Sequence, residues 1–134
     1  MVIYIIMHYL IYKTTNLLNG MFYIGKHKTK NKNDGYFGSG TYLLKAVELY
    51  GRHNFKTEIL FECKDQNEME EKERELVDHS LLSRLDTYNI VKGSLTRNGN
   101  KPKSEDISPI EYGRYLYVQM IKEERFRKEF QNVY

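Results

Sequence analysis

The stretch Leu10-Ile11-Tyr12, followed by Asn19-Gly20 and then Tyr23-Ile24-Gly25, decides the reading of the fold. Apolar residues alternate with polar ones on both sides of an Asn-Gly step, the pattern of two antiparallel strands joined by a tight turn. Such a turn asks for positive φ at both central residues, which Asn19 and Gly20 tolerate. The hairpin brings Tyr12 and Tyr23, eleven positions apart in the chain, into one neighbourhood. Taken alone, that pair is better described as ordinary cross-strand packing.

Outward from the hairpin, the pattern alternates between elements and breaks. Met1 to Leu10 is apolar and reads as a buried first strand. It is shorter than the roughly 20 apolar residues of a membrane span and lacks a basic leader and a small-residue cleavage site. Lys26 to Gly40 is rich in Lys, Asn and Gly and reads as a long loop with a turn at Asn33-Asp34-Gly35. Thr41 or Ser39 then caps a helix carrying Leu43, Leu44, Val47 and Tyr50, and Gly51 stops it. A strand over Phe55–Phe61 follows, with Phe55, Ile59 and Phe61 as its apolar positions. Asp65 or Asn67 caps a second helix running to about Leu82, with Met69, Leu76, Val77 and Leu81 on one face. Thr87–Val91 is a short extended stretch.

This order, β-β-α-β-α-β, predicts an α/β (α+β) domain with a small, mostly antiparallel sheet of three to four strands flanked by helices. The expected organisation is a domain over 1–91, a linker over 92–107 and a C-terminal helix within 108–134. Ser108-Pro109-Ile110-Glu111 announces that helix with an N-cap serine, a proline at the first helical position and a glutamate three residues after the cap.

At 134 residues the chain accommodates one core and an appendage. The lone Cys63 forms no internal disulfide, and no Cys/His cluster has zinc-ligand spacing, which suggests a reducing compartment. Net charge is only +3, yet its distribution is uneven. Lys13–Lys56 holds eight basic residues against two acidic ones, whereas Glu58–Asp86 holds four against ten. One half suits phosphates and the other a cation, although a solvated basic loop and a solvated acidic helix give the same count.

Glu73 lies four residues after Met69 and three and four before Leu76 and Val77, so helical spacing sets its carboxylate along the apolar stripe. A charge there calls for a metal ion, a basic group or a hydrogen-bond network, unless it sits at the rim and reaches water. On the terminal helix Arg114, Lys122, Arg125, Arg127 and Lys128 stand among Tyr112, Tyr115, Tyr117 and Phe126. That mixture fits nucleic-acid contact, docking on the domain, or a homodimer through the helix.

In order along the chain, Ile11-Tyr12, Tyr23-Ile24-Gly25, Glu73 with Val77 four residues on, and Tyr88-Asn89 resemble the GIY-YIG nuclease family, with Leu10 in place of the first glycine. The stretches Tyr23–Thr29, Asp34–Gly40 and Tyr50–Phe55 are similar to its phage-borne members, many of them freestanding homing endonucleases. The resemblance covers residues 9–91. It implies a Mg²⁺- or Mn²⁺-dependent endodeoxyribonuclease, phage-encoded and acting on DNA in the host cytoplasm. Tyr12, Tyr23, Lys26, His27 and Glu73 are the implied catalytic residues, and Glu73 is the metal ligand. Lys28, Lys30, Lys32, Lys45, Arg52 and Asn89 are the expected nucleic-acid contacts, with structural anchoring the other reading of Asn89.

Two expectations attach to that reading. A tyrosine acting as base needs its pKa lowered from near 10, and Lys26 is the group expected to do so. The family's arginine, about ten residues past the second tyrosine, falls here on Asn33, so Lys26, His27, Lys28 or Lys32 is expected to supply the positive charge. A DNA-binding or regulatory module that has lost catalysis, and an adaptor that binds no nucleic acid, are the alternatives.

Overall fold

The computed structural model describes residues 4–90 and 107–133. A three-stranded antiparallel sheet is built from β1 (His8–Asn16), β2 (Phe22–Thr29) and β3 (Phe55–Cys63), with β1 in the centre. Among the described residues four α-helices accompany it: α1 (Thr41–Tyr50), α2 (Gln66–Leu76), α3 (His79–Leu82) and α4 (Pro109–Glu129). The expected α+β architecture is therefore present.

The hairpin closes differently from a two-residue turn. The Asn16 N–H donates to the Met21 carbonyl (2.7 Å) and the Gly20 N–H to the Asn16 carbonyl (2.8 Å). Within this turn Gly20 alone takes positive φ (+77°). Asn19 instead uses its side-chain oxygen to accept from the Met21 N–H (2.9 Å), so it has no need of the left-handed region. The register sets Tyr12 opposite Gly25 and Thr14 opposite Tyr23, which makes the two tyrosines diagonal neighbours on one face.

Strand alternation sends Tyr12, Thr14, Tyr23, Gly25 and His27 to one face and Ile11, Ile24 and Lys26 to the other. On the second face Ile11, Cys63 and Met69 form a core that fixes α2. Elsewhere Met21, Tyr42, Leu43, Ala46 and Phe55 pack with Tyr88, with Phe126 of α4 and with Phe130 just after it, and Tyr23 and Phe37 lie against this cluster. The terminal helix thus docks on its own domain, with Ser108 accepting from the Glu111 N–H as its cap.

Several local expectations change. Of the run expected as a buried first strand, residues 4–7 form no strand: β1 starts at His8, and Tyr4, Ile5 and Ile6 are exposed. Helix α1 buries Tyr42, Leu43 and Ala46 while Leu44 faces solvent, and its N-cap is Gly40 with no side-chain cap. A register shift between Ile11 and Tyr12 leaves Leu60 as an extra residue in β3, which puts Ile59 and Phe61 on opposite faces, both exposed. The second helix breaks after Leu76 because Asp78 caps a new one, accepting from the Leu81 N–H (3.0 Å). Over the described residues 87–90 of the expected fourth strand there is one parallel bridge, Phe22 with Thr87. The linker expected over 92–107 lies, but for Ile107, outside the described residues.

Candidate active site

The two tyrosines meet over glycine backbone. Their ring centroids are 6.2 Å apart. A Cβ on Gly25 would stand 2.6 Å from the Tyr12 hydroxyl and 2.7 Å from the Tyr23 ring. One on Gly38 would stand 3.0 Å from the Tyr12 hydroxyl, and one on Gly40 2.6 Å from the Tyr23 ring. All three glycines are thus places where aromatic rings pass against bare backbone. The loop carrying Gly38 and Gly40 is pinned to the sheet by Thr14, whose hydroxyl donates to the Phe37 carbonyl (2.7 Å).

The Tyr12 hydroxyl is buried and lacks a hydrogen-bond partner among the described residues. Burial, reinforced by Tyr23, Tyr36 and Glu73, pushes its pKa well above the ordinary phenol range. Burial followed by the Glu73 charge raises Tyr23 as well, with a hydrogen bond from Ser39 acting in the opposite direction. Neither hydroxyl is lowered by Lys26, contrary to the sequence expectation. The reason is the strand alternation: Lys26 points to the α2 face and lies 3.7 Å from both Glu70 and Glu73. Glu73, whose side chain is 17% exposed, therefore finds a basic group at the edge of its stripe while its charge still reaches both tyrosines.

His27 is held from two sides. Its Nε2 lies 2.6 Å from Asp34 Oδ2, and its ring stacks on Tyr36 at 3.6 Å between centroids and 4° between planes. Asp34 also accepts from the Thr29 hydroxyl (2.8 Å) and, through Oδ1, from the Tyr36 N–H (3.1 Å). These bonds, that of His27 foremost, hold the Asp34 carboxyl at about 2. Tyr36 in turn meets the Tyr12 ring edge-on, 5.4 Å between centroids.

Asn89 sits far from a phosphate-binding posture. Its side-chain oxygen accepts from the Ile24 N–H (3.0 Å) and its amide donates to the Ile24 carbonyl (2.8 Å), so both groups are engaged with the middle of Tyr23-Ile24-Gly25. It is 6% exposed and acts as a strand anchor. Lys122, grouped by sequence with the exposed basic residues of α4, is fully buried. Its Nζ donates to Asn89 O (2.6 Å), Thr87 Oγ1 (2.9 Å) and Leu82 O (3.3 Å), and burial lowers its pKa to about 7.

The other basic residues spread over the surface. Lys32 pairs with Glu62 (3.2 Å), Lys28 lies over the Tyr9 ring and Lys45 over Tyr42, and Lys30 is exposed. Arg52 donates to the Gly35 carbonyl (3.2 Å) and covers Phe37, bracing the loop from its outer side. Lys45 and Arg52, with Ser39, Thr41 and Glu48, also line an open groove of about 690 Å³ beside α1. Asp34, Tyr36 and Ser39 were not singled out as site residues by the sequence reading. The available signal is an aspartate seven residues after His27 and a tyrosine directly after its turn, both inside the stretch Asp34–Gly40 that resembles the phage-borne members.

Among the described residues no helix is long and apolar enough to cross a membrane, and no group of three or more His, Cys, Asp or Glu stands together as a ready metal cage. No family model and no solved structure matches the chain. It is similar to endonucleases of Enterobacteria phage T4. It is 48% identical over 87 residues to "Putative endonuclease segD", a match covering 65% of this chain and 39% of that protein. With "Putative endonuclease segE" it shares 42% identity over 89 residues, covering 66% and 43%. With "Endonuclease segA" it shares 44% over 82 residues, covering 61% and 37%. The chain spans less than half the length of the curated relatives it matches.

Proposed function

We propose that this chain is a metal-dependent DNA endonuclease of GIY-YIG type. The observation that carries the reading is the convergence of Tyr12 and Tyr23 over Gly25 with the charge of Glu73 acting on both. The similarity to phage endonucleases supports the same class.

Phosphodiester hydrolysis needs a positioned water, donors for the charge that grows on the phosphate, and stabilisation of the leaving oxygen. Tyr12 and Tyr23 stay protonated, so they serve as donors and positioners rather than as phenolate bases. The unpartnered Tyr12 hydroxyl is the group with free hydrogen-bonding capacity for this task. Glu73 is a single carboxylate, which suits Mg²⁺ or Mn²⁺, since small hard cations keep several waters and take one or two carboxylates. Bound there, the cation would orient the phosphate and stabilise the leaving 3′ oxygen. Lys26 balances Glu73 and supplies positive charge at the strand edge. Lys45 and Arg52 offer the groove beside α1 as a path for the DNA backbone.

Purified protein with Mg²⁺ or Mn²⁺ should nick or cut plasmid DNA. Glu73→Ala should remove cleavage while leaving salt-dependent DNA retention in a gel shift. Retention without cleavage by the parent chain would favour the regulatory module, the reading supported by Asn33 standing where the family has arginine. No retention at low salt would exclude both.

A further inference from the structure

We propose that Tyr36 is a third substrate-facing hydroxyl of this site, and that the His27–Asp34 pair is the clamp that positions it. The proposal rests on the endonuclease reading and adds a residue to it. The loop from residue 30 to 40 carries no arginine, yet it is fastened at several points beside the tyrosines. Thr14 ties it down at Phe37, Arg52 at Gly35, and Asp34 ties it back to Thr29 and His27. What this fastening presents is Tyr36, half-buried, edge-on to Tyr12 and close enough to raise the pKa of both Tyr12 and Tyr23.

The clamp acts on Tyr36 at two points. Asp34 Oδ1 accepts from its backbone N–H, and the His27 ring lies flat against its side chain. Because the Asp34 carboxylate is ionised, the hydrogen between it and His27 belongs to Nε2, which fixes the imidazole in one orientation. Tyr36 contacts both His27 and Tyr12, so the path from His27 to the tyrosine pair runs through Tyr36. His27 and Asp34 are positioning residues. The hydroxyl of Tyr36 donates to a non-bridging phosphate oxygen, a neutral donor in a loop that lacks the guanidinium.

Tyr36→Phe keeps the ring and its stacking and removes only the donor. Cleavage of a short duplex by Tyr36→Phe should fall about 10²-fold in kcat, with KM within about twofold and an unchanged Tm. Asp34→Asn should slow cleavage in the parent chain but add little in the Tyr36→Phe background, since the clamp works through that hydroxyl. Wild-type kcat in Tyr36→Phe, or an Asp34→Asn loss of equal size in both backgrounds, would overturn the proposal. If the parent chain leaves DNA intact, the endonuclease reading fails. The Tyr36 assignment then depends on its ring carbon resonance, assigned by its loss in Tyr36→Phe. A shift on adding the duplex supports the assignment, and an unmoved signal rejects it.

Discussion

Gly25→Ala is a stringent test of the tyrosine geometry. Gly25 does not have positive φ, so alanine meets no backbone penalty there and the whole effect comes from one added methyl group. That methyl would stand 2.6 Å from the Tyr12 hydroxyl and 2.7 Å from the Tyr23 ring, where ordinary contact begins at 3.4 Å. One or both rings must retreat by about 0.8 Å, but Gly38 backs Tyr12 and Gly40 backs Tyr23. Overpacking of this kind costs about 1–3 kcal/mol, a fall in Tm of roughly 4–12 °C for a domain of this size. Misplacing reacting groups by about 1 Å costs on the order of 10²-fold in rate, and cleavage should drop accordingly. Gly20→Ala is the control. Nothing lies within 4 Å of its Cβ, yet its φ is +77°, so it should cost about 1–2 kcal/mol through the backbone and leave cleavage unchanged. Thermal melts and plasmid cleavage on the two variants decide the matter. Parent-like Tm and rate in Gly25→Ala would refute the packing described for Tyr12 and Tyr23.

Asn89→Ala should destabilise the fold by about 2–4 kcal/mol, because it strips partners from the Ile24 N–H and carbonyl. Faster hydrogen exchange at the Ile24 amide is its local signature, and unchanged exchange would count against the anchor. Lys122 titrates at about 7 when folded and near 10.5 when unfolded. Between those values the unfolded chain binds more protons, so this group makes stability rise with pH, by at most about 1.4 kcal/mol per unit. Denaturant titrations of Lys122→Met should lose that rise; an identical pH slope in parent and variant would show that Lys122 is not buried as described.

The hairpin, the capped helices and the element order were legible in the chain because their causes are local. Alternation of apolar residues sets a strand, Asp65 accepts from the Glu68 N–H (2.9 Å) three residues on, and Ser108-Pro109 starts α4. The same locality made Glu73 and the tyrosines visible, since strand register and helical spacing fix which side chains share a face. Other assignments depended on distant partners. The apolar pattern of β3 gave no sign of the extra residue at Leu60, because a bulge exists only relative to the neighbouring strand.

The sequence by itself determined that this chain builds a small α+β domain with two tyrosines paired across a hairpin, because periodicity, turn residues and caps act over a few positions. Only the tertiary structure decided how its polar residues are used. Asn89 holds Ile24 across 65 positions, Lys122 caps carbonyls across 33 to 40, and His27 is committed to Asp34 and Tyr36 rather than left free. The reason is physical: whether a polar group meets water, phosphate or another side chain depends on what packing places beside it, and burial makes an unpaired choice costly.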